Sequence, residues 1–222
     1  MLAALPLGDY RRLARALEPV NLEFGKVQCE AGATIRHIYF PLDSMISLLA
    51  AAGNGDSLEV GLVGKEGVVG TPLALGSPTS PVQELVQGAG KALRIPAKRF
   101  VAELARSPNL RRLIDRCILL HMSTAMQIAA CNKSHMLEAR LARWLLMVRD
   151  RLESETIFLT QDFLARMLGV RRAGVNETAG ILQRRSLIRY SRGRIRILDL
   201  KGLTEVACPC YAVIRKLEKP AR

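Results

Sequence analysis

Between residues 159 and 198 the sequence places side chains suited to gripping a polyanion and reading its edges. Arg172, Asn176 and Glu177 lie close together just after a glycine turn. In a major groove Arg pairs with guanine, Asn with adenine, and Glu accepts from cytosine. Arg171 and Ala173 stand beside them, and Thr160 and Gln161 open the preceding segment. Further on, Arg192 and Arg194 flank Gly193. Guanidinium groups there suit phosphate oxygens, which hold a protein on a duplex without reading its sequence. The candidate DNA-binding set is therefore Thr160, Gln161, Arg171, Arg172, Ala173, Asn176, Glu177, Arg192 and Arg194, with double-stranded DNA as the partner.

These residues need elements to position them, and the local text supplies them. Leu159 to Val170 reads as a short helix. Thr160 is its N-cap, Asp162 suits the positive end of its dipole, and Gly169 takes the left-handed conformation that stops it. Leu164, Met167 and Leu168 form its buried stripe, and Ala165 is small where a second helix must approach. That second helix runs from about Arg172 to Arg184 and buries Val175, Ala179 and Leu182. Gly174 and Gly180 each weaken it by roughly 1 kcal/mol relative to Ala, and Gly180 would be explained by close packing on the first helix. Ser186 to Leu198 then alternates around Ser191-Arg192-Gly193 as a β-hairpin. Helix, turn, helix and basic hairpin in that order make a winged helix-turn-helix.

Upstream, Met136 to about Arg151 reads as a helix with Leu137, Leu141, Trp144, Leu145 and Val148 inward and Arg140, Arg143, Arg149 and Arg151 largely off that face. Before it, Asn109 to Cys131 carries an apolar seam at an average step of about 3.5 residues, with Pro108 placed to start the helix. Leu110, Leu113, Ile114, Cys117, Leu120, Thr124 and Ile128 are the candidate dimer interface. The same stripe would also fit a helix buried against its own chain. From Phe24 to Pro96 short apolar runs (Ile38 to Phe40, Met45 to Leu49, Leu58 to Val63, Ala92 to Ile95) are separated by turn residues, with eleven glycines between Gly25 and Gly90. That pattern predicts a small antiparallel barrel or sandwich. A short helical pattern, Asp9 to Leu17, precedes it.

Charge follows the same division. The 222 residues carry a net charge of +13. Residues 132–222 hold 19 Lys and Arg against 9 Asp and Glu, whereas residues 1–131 hold 14 against 11. A basic module joined to a near-neutral one is the electrostatic pattern of a nucleic-acid binder. No apolar run is long enough to span a bilayer, Met1 to Leu7 does not read as a secretory signal, and five scattered cysteines form no disulfide framework. The expected compartment is the cytoplasm, with no membrane partner.

Over Leu159 to Leu203, and through Glu138 to Leu145 before it, the sequence resembles the Crp/Fnr superfamily of transcription regulators. A weaker likeness runs back through Phe24-Gly25, Ala31-Gly32, Ile38 to Phe40 and Gly64 to Gly70. The resemblance implies an α+β chain: a cyclic-nucleotide-binding-like β-roll over residues 1–108, a dimerisation helix over 109–131, and a winged helix-turn-helix DNA-binding domain over 132–222. It implies a homodimer on a near-palindromic operator, with RNA polymerase as a further partner if the protein activates. Members that bind cyclic nucleotides have Gly-Glu and then Arg-Ser or Arg-Thr in the phosphate-binding turn. Here Gly70-Thr71 and Ser80-Pro81 stand at those places, and no Arg or Lys lies between. A buried phosphate would lack its cation, so cAMP is not expected and neither is any other cofactor. Cys29 is the only cysteine before Cys117, too few for the N-terminal iron–sulfur centre of the oxygen-sensing members.

Cys208-Pro209-Cys210 lacks a second ligand pair and a histidine near it in sequence, so it reads as surface or packing thiols with no metal. Cys117 and Cys131, on the seam, read as small apolar residues. His37, His121 and His135 are far apart, and no P-loop, nucleophile elbow, dinucleotide fingerprint or zinc-protease motif occurs, so no enzyme is expected. The alternative function is a β-roll ligand-binding or interaction module whose basic tail only aids docking.

Overall fold

The computed structural model describes residues 1–53 and 56–218. They fall into two compact units, Met1–Ala50 with Gly61–Met122, and Ala51–Val60 with Ser123–Arg222. In chain order the elements are α1 (Leu7–Ala14), β1 (Glu18–Leu22), β2 (Val27–Cys29), β3 (His37–Pro41), β4 (Met45–Gly53), β5 (Asp56–Val63), β6 (Gln83–Gly88), β7 (Gly90–Pro96), α2 (Ala97–Arg106) and α3 (Pro108–Ser134). They continue with α4 (Leu137–Leu152), β8 (Thr156–Phe158), α5 (Gln161–Leu168), α6 (Arg172–Arg184), β9 (Ile188–Ser191), β10 (Arg194–Ile197), α7 (Leu200–Val206) and α8 (Cys210–Glu218).

The first unit is the expected antiparallel β structure, built as two sheets in the orders β1-β7-β3 and β2-β6-β4-β5. Successive residues of a strand point to opposite faces, and β3 uses both. Ile38 and Phe40 join Ile95, Phe100 and Leu104 in one core cluster, while Tyr39 joins Ile46, Val63 and Val86 in another. β1 pairs with β7 although it contains Pro19. It lies at the sheet edge, where a missing N–H is tolerated.

α3 begins at Pro108 as its sequence predicts, and the Ser107 hydroxyl accepts the Leu110 N–H at 3.0 Å. Its apolar seam turns inward and is covered largely by its own chain, the second of the two fits the stripe allows. Leu110, Ile114 and Cys117 are packed in the core of the first unit, and Leu113 lies against it half-buried. Thr124 and Ile128 are buried and Leu120 is half-buried. Leu119, Met122 and Met126 lie on the opposite side of the helix, 62%, 51% and 65% exposed.

In the second unit Leu141, Trp144, Leu145, Leu164, Leu168, Val175, Leu182, Ile195, Leu203 and Ile214 are all buried to about 1% or less. Trp144 also donates its indole N–H to the Glu59 carboxylate at 2.8 Å. Gly180 does not serve close packing of α5 on α6, as its sequence context predicts. A Cβ there would meet only the Arg184 guanidinium tip at 3.4 Å. Gly180→Ala should therefore gain about 1 kcal/mol in stability, seen as a rise in Tm of roughly 2–4 °C. No rise on calorimetry would mean that the helix requires a residue without Cβ there.

Candidate nucleic-acid interface

α5 is capped as its sequence predicts, with Thr160 Oγ1 accepting the Phe163 N–H at 3.2 Å. It ends at Gly169, whose φ of 63° is the left-handed conformation Gly adopts without penalty. The Val170 N–H turns back to the Ala165 carbonyl at 3.0 Å, satisfying an end of the helix that would otherwise be orphaned. α6 starts after Arg171, which gives it no side-chain cap. Val175, Thr178, Ala179 and Leu182 face inward; Arg171, Arg172, Ala173, Asn176 and Glu177 are exposed.

The turn brings three of the candidates together. Gln161 donates to Asn176 Oδ1 at 2.9 Å, and Arg172 Nε donates to Gln161 Oε1 at 3.3 Å. Arg172 also lies 3.4 Å from Asp162 Oδ2, with both side chains more than 60% exposed. Such an exposed pair contributes little stability, so the guanidinium can exchange these partners for others.

The wing is the sheet β8-β10-β9. Arg192 and Gly193 both have positive φ, 49° and 72°, the geometry of a two-residue hairpin turn matched to strand twist. Ile188, Ile195 and Ile197 are buried, while Arg189, Arg194 and Arg196 are exposed. Arg196 pairs directly with Arg189 across the strands, and the Arg194 guanidinium sits 4.8 Å over the ring of Phe158. Arg189 and Arg196 thus extend the basic surface assigned to Arg192 and Arg194. The period-two alternation with the buried isoleucines is the sequence signal that marks them. Tyr190 fastens the wing: its N–H donates to Gln183 Oε1 of α6 at 2.7 Å and its hydroxyl to the Leu159 carbonyl at 3.0 Å. Burial pushes its phenol pKa upward.

Three α4 arginines expected largely off the apolar face are buried: Arg140, Arg143 and Arg151. Arg140 donates to the Leu168 carbonyl at the end of α5, where a cation complements the helix dipole. Arg151 donates to the Met147 carbonyl at 3.0 Å and to Glu218 at 2.5 Å. Arg143 contacts Met147 Sδ at 3.2 Å.

Of the two readings of Cys208 and Cys210, surface or packing thiols, the structure has the buried one, and the buried Cys131 lies with them. Cys131 Sγ is 3.4 Å from Cys208 Sγ, and Cys210 Sγ is 3.6 Å from Nδ1 of His135, the histidine that sequence distance hides. The hydrogen bond from Cys208 lowers the Cys131 pKa, assisted by the Arg143 charge, while Cys208 is raised by the same bond. In the first unit Cys117 is buried 3.5 Å from Met1 Sδ.

At the turn compared with the cyclic-nucleotide binders, Ser80 is buried and its hydroxyl lies 3.4 Å from Glu84 Oε1. The Gly70 N–H also serves that carboxyl. Burial raises Glu84 to about 7, against the lowering effect of these two bonds. An acid therefore occupies the donors of this turn.

Residues 139–206 match the family model of the Crp-like helix-turn-helix domain. No curated protein sequence matches the chain. Among solved structures, a Crp/Fnr-family transcriptional regulator from Thermus thermophilus is 25% identical, with a TM-score of 0.71 over 86% of this chain and 98% of that one. The c-di-GMP-responsive global regulator CLP of Xanthomonas campestris is 16% identical, with a TM-score of 0.71 over 87% of this chain and 100% of that one. FixK2 from Bradyrhizobium japonicum is 10% identical, with a TM-score of 0.73 over 86% and 98%. Among the described residues no helix is long and apolar enough to cross a membrane.

Proposed function

We propose that this DNA-binding transcription regulator of the Crp/Fnr superfamily works as a homodimer on a near-palindromic operator, laying α6 in the major groove and the wing along the backbone. The carrying observation is the exposed row of Arg171, just before α6, and Arg172, Ala173, Asn176 and Glu177 on it, beside a wing that exposes Arg189, Arg192, Arg194 and Arg196. Paired half-sites about one helical turn apart would match a two-fold axis. RNA polymerase is a further partner if the protein activates. The buried Glu84 carboxyl, and the absence of Lys or Arg from residues 71–82, argue against cAMP as its effector, because a cyclic phosphate there would meet an acid and no cation.

The division of labour gives the test. An operator selected in vitro from random duplexes and a scrambled control are titrated at several salt concentrations. Arg172→Ala should weaken the operator by about 1–3 kcal/mol and leave the control nearly unchanged. Arg192→Ala should weaken both alike and reduce the salt slope by about one. Equal losses on both duplexes for Arg172→Ala would make it a phosphate clamp, and a changed base preference for Arg192→Ala would put the wing in a groove. Selection yielding no preferred sequence would sink the proposal.

A further inference from the structure

We infer that Cys131, His135, Cys208 and Cys210 form a closed tetrahedral site for one thiophilic divalent cation, with zinc as the ion that fits. Their four ligand atoms all lie within 4.8 Å of one another. A tetrahedral zinc with Zn–S of about 2.3 Å and Zn–N of about 2.0–2.1 Å separates its ligands by roughly 3.5–3.8 Å. The S–S distance of 3.4 Å and the S–N distance of 3.6 Å already sit near those edges. So compact a set suits a single ion rather than a multi-iron cluster, and three thiolates with one imidazole are a donor set that zinc takes in closed, structural sites.

Local structure explains how 77 residues of separation are overcome. His135 directly follows the last residue of α3, four after Cys131, and its N–H still closes the helical bond to the Cys131 carbonyl at 3.0 Å, which keeps the two on one face. The Cys208 N–H is anchored on the Ala139 carbonyl at 3.3 Å, and α8 opens at Cys210. The thiols are at most 3% exposed, with the half-buried His135 at the rim. Gln127 donates to Cys210 Sγ at 3.1 Å, an outer hydrogen bond of the kind that orients a ligand.

The electrostatics point the same way independently. Arg140 and Arg143 are buried, their Nε atoms have no hydrogen-bond partner, and neither makes an ion pair with a carboxylate among the described residues. Buried cations require compensation. Three thiolates around a divalent ion leave a net charge of −1 beside them. The bound ion would fasten α8 to the end of α3 as a cross-link within the second unit.

This inference does not depend on the operator proposal, because its readout is metal. The full-length protein is purified from zinc-supplemented cells under reducing conditions without chelator and analysed by mass spectrometry. One zinc per chain is expected, and none bound to the Cys208→Ser/Cys210→Ser variant. Reloading the chelator-stripped wild type with cobalt(II) should give the visible bands of a tetrahedral ion with thiolate charge transfer in the ultraviolet. His135→Ala, changed at the rim, should weaken zinc roughly tenfold or more in competition with a chelating dye, and it decides the matter if the cysteine variant does not fold. Metal-free wild type without a cobalt spectrum, a Cys131–Cys208 disulfide in the native protein, or zinc held equally by every variant would each overturn the site.

Discussion

With Leu119 and Met126 both replaced by Lys, the protein is expected to sediment as a monomer and to lose at least ~100-fold in operator affinity, since half-sites held by separate chains forfeit an effective concentration worth about 10²–10⁴. Leu119, Met122 and Met126 recur at helical spacing on the side of α3 away from its buried stripe, and each is more than half exposed. A row of large apolar side chains in water marks a contact surface, and the occupant that fits the proposed two-fold operator is a second copy of the same helix. Leu113 and Leu120, which the seam also nominates, are half-buried. Lys at those positions would injure the chain's own packing, so loss of the dimer could not be told from loss of the fold. Circular dichroism should be unchanged in the Leu119/Met126 variant. A dimer that survives both changes would place the interface elsewhere, and a monomer with undiminished operator affinity would end the homodimer reading.

The contrast between the two faces of α3 explains what is legible in the sequence. A period of about 3.5 residues states that a stripe is apolar, not what covers it. The covering residues, such as Phe100, Leu104 and Ile38, lie in other elements. The helix-turn-helix is legible because its determinants are local: Thr160 bonds three residues on, Gly169 stops the helix, and Arg192-Gly193 turns the wing. The buried arginines are not, because Arg in isolation reads as solvated. Arg140 finds its acceptor 28 residues away and Arg151 its carboxylate 67 residues away. The Cys and His constellation fails in sequence for the same reason, since Cys131 and Cys208 are 77 residues apart. β1 is hidden because Pro19 argues against a strand, and only its edge position permits one.

Glu84 gives the other large effect, through pH. Its carboxyl is 2% exposed and Oε2 has no hydrogen-bond partner among the described residues, so the neutral acid is favoured and the pKa rises from 4.5 to about 7. The folded protein therefore holds a proton that the unfolded chain releases at lower pH. Linkage makes this contribution fully present below pH about 4.5 and lost as pH rises through about 7, with no further change above. At about 1.4 kcal/mol per unit the loss is roughly 3 kcal/mol as an upper bound. Glu84→Gln imitates the neutral acid. It should be near-neutral at pH 4.5 and stabilising by up to that amount at pH 8. Other groups titrate over the same range, so the quantity that isolates Glu84 is the difference between variant and wild type. Hydrogen exchange of β6 and β7 peptides in a urea series reads the first unit by itself, away from Trp144 in the second. If the difference is the same at both pH values, Glu84 is ionised in the fold. Its partners at Gly70 and Ser80 would then stabilise a buried carboxylate, and the turn would hold a permanent negative charge.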